Sequence, residues 1–214
     1  SENKIDRIKM NTGKEIKFSD ESLALAKRMM QRYPEGKHKS ALIPILHIAQ
    51  AEFDGWLSPE TMDYVASVIG IEPVEVYEVA SFYSMFNLKP VGKCVIEVCR
   101  TSSCWLLGAE DVISHLEKKL NIKNGQTTSD GMFTLKSVEC LGSCGTAPMM
   151  QVGADYYENL SLEKVDTLVE RFRAEGKRKT YTDERLDFLD NSVKYRQKRA
   201  RKRKELLRSF QQGF

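Results

Sequence analysis

The sequence predicts an α/β protein built from consecutive parts. An N-terminal tail (1–17) precedes a small helical bundle over residues 18–90. A sheet covered by helices follows over 91–175, and a basic helical extension over 176–214. Three observations carry this. Apolar residues recur at helical spacing in four short segments before Lys89. Short β-branched runs replace that spacing after Lys89-Pro90-Val91-Gly92. The charge balance then turns sharply basic at Gly176-Lys177-Arg178-Lys179.

Each helix has a start and a stop. Ser19 is placed to cap the first, with Asp20 and Glu21 in the first turn, where the positive helix end favours them. Leu23, Ala26, Met30 and Tyr33 keep helical steps until Pro34 and Gly36. The second covers about 41–54, with Leu42, Ile45, Leu46, Ala49 and Phe53 on one face and Asp54-Gly55 at its end. Pro44 falls in the first turn, where a missing N–H costs little. Ser58-Pro59-Glu60 starts the third, whose apolar face is Met62, Val65 and Ile69 and whose left-handed cap is Gly70. A fourth begins near Pro73 and runs towards Phe82.

The second region starts with a strand, Val95-Ile96-Glu97-Val98. Residues 108–121 read as a helix with Val112, Leu116 and Leu120 aligned. Met132 to Val138 is a second strand. Met149 to Val152 and Tyr156 to Glu158 form a hairpin turning at Gly153-Ala154-Asp155. Ser161 caps a last helix through Phe172, giving the order β-α-β-β-β-α. In the extension, Thr182 starts a long helix with Leu186, Leu189, Val193, Ala200, Leu207 and Phe210 in helical steps.

Composition narrows the function classes. The 214 residues are enough for one or two domains with a core. No apolar run reaches the ~18 residues of a membrane span, and residues 1–18 lack the apolar centre of a secretory signal. A reducing compartment is therefore expected, where paired cysteines bind metal more often than they form disulfides. Residues 176–214 hold 13 Lys and Arg against 5 Asp and Glu, a net of +8; residues 1–175 hold 20 and 25, a net of −5. No G-x-G-x-x-G follows a strand, there is no P-loop, and His38, His47 and His115 are scattered, so no nucleotide site or acid–base pair is expected.

Four of the five cysteines form two close pairs, Cys99-x4-Cys104 and Cys140-x3-Cys144, with 35 residues between them. Each pair begins where a strand gives way to a loop. A [2Fe–2S] cluster needs four thiolates, two per iron, and two separated pairs suit it. Cys104 is read as lying just before a helix, whose positive end favours a thiolate. The glycines of Leu141-Gly142-Ser143-Cys144-Gly145 let backbone amides approach a cluster sulfur. A structural zinc site competes, although zinc cysteines usually come as C-x2-C pairs and none occurs here. Unliganded or redox thiols are the third reading. Cys94 alternates with Ile96 and Val98 and reads as a small buried apolar residue.

These residues resemble a known family. Cys99-Arg-Thr-Ser-Ser-Cys104-Trp105, Glu139-Cys140-Leu-Gly-Ser-Cys144, Ala147-Pro148-Met149 and Asp155-Tyr156-Tyr157-Glu158 look like the NuoE-type subunit. That subunit is the thioredoxin-like [2Fe–2S] component of respiratory complex I, NADH:quinone oxidoreductase. Ala41-Leu42-Ile43-Pro44-Ile45-Leu46-His47-Ile48-Ala49-Gln50 and Gly55-Trp56-Leu57-Ser58-Pro59-Glu60 fit it too, so the resemblance spans roughly 18–175.

The resemblance implies a helical bundle followed by a thioredoxin-like domain. One iron would be bound by Cys99 and Cys104 and the other by Cys140 and Cys144. The partner would be a flavin-binding subunit that carries FMN and the NADH site, alongside other peripheral-arm subunits. The cluster would take one electron from that flavin. The location implied is peripheral, on the cytoplasmic side of a bacterial inner membrane or the matrix side in mitochondria. Membrane contact would come only through the complex, and no direct nucleic-acid contact is expected. Two alternatives stand: the same module in a soluble NAD(P)-linked hydrogenase or formate dehydrogenase, and a zinc-stabilised nucleic-acid-binding module.

Other residues have weaker readings. His47 reads as a packed core histidine. Trp105 either shields the cluster, touches a partner or simply packs. Phe82, Tyr83, Met85 and Phe86 read mostly as core between the two regions, with partner surface as the alternative for part of the stretch. Pro148 stands where thioredoxin-like folds often place a cis-proline and is expected to fix a turn. The run Lys198-Arg-Ala-Arg-Lys-Arg-Lys204 suits a solvated helix end, a clamp on an acidic subunit surface, or nucleic acid or anionic lipid.

Overall fold

Serine caps open the helices where the sequence places them in the structure, a computed structural model that describes residues 16–179. Ser19 Oγ accepts from the Ser22 N–H and starts α1 (Asp20–Met30). That helix buries Leu25, Ala26 and Met29 and ends before Tyr33, so its buried face is displaced by one residue from the expected stripe. A short 3₁₀ turn (His38–Ala41) leads into α2 (Leu42–Glu52), which buries Ile45, Leu46 and Ala49. Phe53 lies just past its end and stacks on Phe18 at 5.7 Å. Ser58 caps α3 (Pro59–Ile69), with Gly70 left-handed at its end. Glu72 and Glu75 form a reciprocal capping box on α4 (Pro73–Phe82).

The sheet has the strand order β2-β1-β3-β4. β1 (Cys94–Cys99) pairs in parallel with β2 (Phe133–Val138), and antiparallel with β3 (Met150–Val152). β3 turns at Gly153-Ala154 into β4 (Asp155–Tyr157). Between β1 and β2 run a one-turn helix, α5 (Ser102–Leu106), and α6 (Ala109–Leu120). Ser161 caps the final α7 (Leu162–Glu175). Ile96, Val98, Leu135, Phe133 and Val152 from the strands pack with Val112 and Leu116 of α6 and Val165, Val169 and Phe172 of α7 in one core. Cys94 belongs to that core and is fully buried, as its alternation predicts.

The helical region is tied to the sheet by Asn87, whose four polar groups are all used. Its N–H donates to Gln50 Oε1 (2.7 Å) and its carbonyl accepts from the Leu57 N–H (2.7 Å). Its side chain donates to the Gly55 carbonyl (2.8 Å) and accepts from Lys136 Nζ on β2. Burial lowers the Lys136 ammonium pKa and raises that of its cross-strand neighbour Glu97. Gly92 fills a second close approach: a Cβ there would come 2.9 Å from the Met132 carbonyl.

Several expectations shift. Only Phe86 of the aromatic stretch is buried; Phe82 is 80% exposed and Tyr83 is exposed too, because α4 ends at Phe82 and the chain turns outward. Residues 176–179 do not leave the fold at Gly176. The Lys179 N–H donates to the Lys93 carbonyl (2.8 Å) and Arg178 Nη1 to the Gly92 carbonyl (3.1 Å). The helix expected from Thr182, its stripe from Leu186 to Phe210, and the basic run lie outside the described residues.

Candidate metal centre

Parallel pairing of β1 and β2 brings the two cysteine pairs together. Cys99 is the last residue of β1 and stands opposite Val138, the last of β2. The strands run the same way, so both chains leave the sheet at one end. Cys140 is not the end of β2, as the sequence suggests, but lies two residues beyond it in the loop. Cys104 sits within α5 rather than ahead of a helix, with its N–H bonded to the Thr101 carbonyl (2.8 Å). Cys144 opens a 3₁₀ turn (Cys144–Thr146) that packs against α5.

The pairs differ in exposure. Cys99 and Cys104 are buried with Ala109 and Met149 in a small core of their own, whereas Cys140 and Cys144 are exposed. The sulfurs of the exposed pair stand 3.7 Å apart. The Gly142 N–H donates to Cys140 Sγ (3.4 Å), an orientation that needs the positive φ of +83° found there. Thr101 Oγ1 is 3.6 Å from Cys99 Sγ.

Charge is shared unevenly among the four thiols. Burial works to raise Cys99, but hydrogen bonds from Thr101, the Leu141 backbone and Cys104 outweigh it and hold it below its ordinary value. Burial and the adjacent Cys99 push Cys104 up to about 11. The Gly142 N–H, Cys144 and Thr101 hold Cys140 low, and hydrogen bonding and repulsion from Cys140 raise Cys144. One thiol in each pair is thus held below its ordinary value and the other above it, Cys104 chiefly by burial and Cys144 by hydrogen bonding with Cys140, with repulsion between the paired sulfurs adding to both. Two cations, one per pair, would relieve that repulsion. Two thiol pairs with a backbone N–H directed at sulfur fit a two-iron centre. Among the described residues, no three His, Cys, Asp or Glu side chains are grouped closely enough to hold a single metal ion.

The loop of the second pair is held by residues that the spacing argument does not reach. Glu158 accepts from Ser143 Oγ and from Thr146 Oγ1 (2.6 Å), and these bonds hold its carboxyl below the usual range. Tyr156 Oη donates to the Leu141 carbonyl (2.8 Å). The Asp155-Tyr156-Tyr157-Glu158 segment therefore braces both ends of the Cys140–Cys144 loop. The Ala147–Pro148 bond is cis and precedes β3. His47 is far from this site by element, packing on Phe86 with ring centroids 5.0 Å apart.

Comparison with known proteins agrees with this geometry. A family model described as thioredoxin-like [2Fe–2S] ferredoxin matches residues 26–173. The NuoE-type subunit of NADH-quinone oxidoreductase from Rickettsia typhi is 45% identical over 155 residues, covering 72% of this chain and 91% of that protein. The Rickettsia prowazekii counterpart is 43% identical over 162 residues, covering 76% and 92%. Among solved structures, an NAD+-reducing [NiFe]-hydrogenase in the H2-reduced state superposes with a TM-score of 0.55 at 23% identity. That likeness covers 62% of this chain and 22% of the hydrogenase chain, and it bears on the fold alone.

Proposed function

The chain belongs to the thioredoxin-like [2Fe–2S] ferredoxin family, and on that premise we propose that it is the electron-transfer subunit of an NADH:quinone oxidoreductase. Cys99 and Cys104 hold one iron of its cluster, and Cys140 and Cys144 the other. The observation that carries this reading is that the parallel β1–β2 ladder sends the chains bearing the two thiol pairs out at one end, where Cys99 acts electrostatically on Cys140 and Cys144 on Cys104. When bound, such a cluster accepts and returns one electron.

The chain's own residues position that chemistry. The Gly142 N–H bonds a ligand sulfur, a type of contact that tunes the potential of a centre. Glu158 and Tyr156 fix the loop that presents the exposed pair. Burial of Cys99 and Cys104 keeps water from the inner pair. FMN and the NADH site reside on a separate flavin-binding subunit. The complex docks it peripherally on the cytoplasmic side of the membrane; among the described residues no helix is long and apolar enough to cross one. The hydrogenase-linked alternative rests on a shared fold only.

Metal and sulfide analysis, with paramagnetic resonance of the dithionite-reduced chain, tests the reading. A brown protein with about two irons and two acid-labile sulfides and an electron-spin signal on reduction is expected. A colourless chain with one zinc would end it.

A further inference from the structure

The hydroxyls beside the four thiols divide into two sets. On the first loop, Thr101 bonds the Cys99 and Cys140 thiols and Ser103 the Cys144 thiol, and each contact favours the thiolate. On the second loop, Ser143 and Thr146 flank Cys144 but serve a carboxylate. Ser143 Oγ donates to Glu158 Oε1. Thr146 Oγ1 lies 2.6 Å from the same oxygen, 3.1 Å from the Ser143 carbonyl and 2.8 Å from Ser143 Oγ. A hydroxyl has one hydrogen to give. With both hydrogens directed at these oxygens, neither hydroxyl donates to a sulfur. Glu158 is itself held in place. Lys164 Nζ donates to its carbonyl (2.5 Å), and the next two N–H groups, of Asn159 and Leu160, donate to the Thr146 (2.7 Å) and Pro148 (2.9 Å) carbonyls.

We infer that Glu158 is a positioning residue that lowers the potential of the centre by holding the Ser143 and Thr146 hydroxyls off the ligand sulfurs. The inference rests on the electron-transfer reading above and names the residue that limits the donors around Cys144. Reduction adds a negative charge among the thiolates. A donor aimed at a ligand sulfur therefore stabilises the reduced form and raises the potential. Gly142, Thr101 and Ser103 act in that direction. Ser143 and Thr146, one and two residues from Cys144, are withdrawn from it. The potential is thus lower than the hydroxyls of the loop would make it if they were free to turn.

The test uses the full, iron-loaded chain with Glu158→Ala, Glu158→Gln and Ser143→Ala, and the double variant Glu158→Ala/Ser143→Ala. Iron and sulfide content are measured first. The midpoint potential is then found by a mediated titration followed through the reduced-state resonance signal. Glu158→Ala should keep its iron and shift the midpoint upward, by roughly tenfold in the reduced-to-oxidised ratio at a fixed solution potential. Adding Ser143→Ala should cancel part of that rise. Glu158→Gln keeps an oxygen that accepts from both hydroxyls, and solvent screens the half-exposed charge that it removes. Its midpoint should stay nearer to wild type than that of Glu158→Ala. Ser143→Ala alone removes a hydroxyl that does not serve sulfur, so its midpoint should match wild type. A wild-type midpoint in iron-loaded Glu158→Ala overturns the inference, since a merely structural brace would change iron retention without moving the potential. A fall in Ser143→Ala, or equal shifts in Glu158→Gln and Glu158→Ala, overturns it too. If Glu158→Ala loses its iron, the Ser143→Ala midpoint decides. A wild-type chain without iron sinks the electron-transfer reading and this inference with it, whereas a loaded wild type with unshifted variants sinks this inference alone.

Discussion

Burial makes His47 a source of acid sensitivity in the helical region. The imidazole lies on α2 against Phe86, and desolvation lowers its pKa from 6.5 to about 4. In the unfolded chain the ring regains its ordinary value. Between pH 6.5 and 4 the unfolded state therefore binds a proton that the folded state does not. Stability rises with pH across that window and is lost as pH falls through it. The full effect is ~3 kcal/mol, reached near pH 4. Between pH 7.5 and 5.5 the loss is about 1.4 kcal/mol, since only the unfolded-state titration is crossed.

The assay compares wild type with His47→Leu, both cluster-loaded, by thermal unfolding at pH 7.5 and 5.5. For a unit of this size about 1.4 kcal/mol corresponds to a fall of roughly 3–6 °C in the midpoint. Acid effects on the cluster itself are common to both proteins, so the difference between their falls isolates His47. His47→Leu should fall less than wild type by that amount. Parallel falls in the two proteins would refute the argument that a neutral, desolvated His47 carries the slope.

Three other outcomes are expected. Cys140→Ala should abolish or severely deplete the iron, because one iron loses half its protein ligands, while Cys94→Ala, removed from the site in the main core, should leave the absorption spectrum unchanged; the reverse pattern would reassign the ligands. Asn87→Ala strands the Gly55 carbonyl and the half-buried Lys136 ammonium, so thermal or denaturant unfolding should show a loss of roughly 2–5 kcal/mol; a loss under about 0.5 kcal/mol would mean that solvent replaces both bonds. Truncation after residue 175 removes the bonds to Gly92 and Lys93 that truncation after residue 179 keeps and should cost about 1–3 kcal/mol relative to it; equal midpoints for the two truncations would show that residues 176–179 contribute nothing.

The helix starts were legible because each rests on a local rule. Ser19, Ser58 and Ser161 accept from the N–H three residues on, and nothing distant overrides that. What escaped depends on partners far along the chain or on surfaces left bare. Asn87 carries no signal in its own neighbourhood; its partners lie 30 to 49 residues away. The outward turn after Phe82 breaks a rule that is usually sound, since four aromatic and apolar residues in a row of five imply core unless a partner covers them. α5 is a single turn, too short for periodicity to reveal, and its apolar side faces solvent rather than the core.

The candidate metal centre shows why spacing singles out the four thiols but not their support. The number of residues within each pair is a local quantity, and two pairs at strand ends already suggest a divided centre. Whether the pairs meet depends on the direction of β2 relative to β1. Parallel pairing sends both strand ends to one edge, and the matched register of Cys99 with Val138 fixes how nearly level they are. An antiparallel pairing would have placed the same two motifs at opposite ends of the sheet. The bracing by Tyr156 and Glu158 requires the β3–β4 hairpin to return to that same edge. The thiols are therefore specified by the sequence motifs, and their placement at one edge by strand direction and register. Changes in strand pairing should be as damaging to the centre as loss of a ligand, even with every cysteine intact.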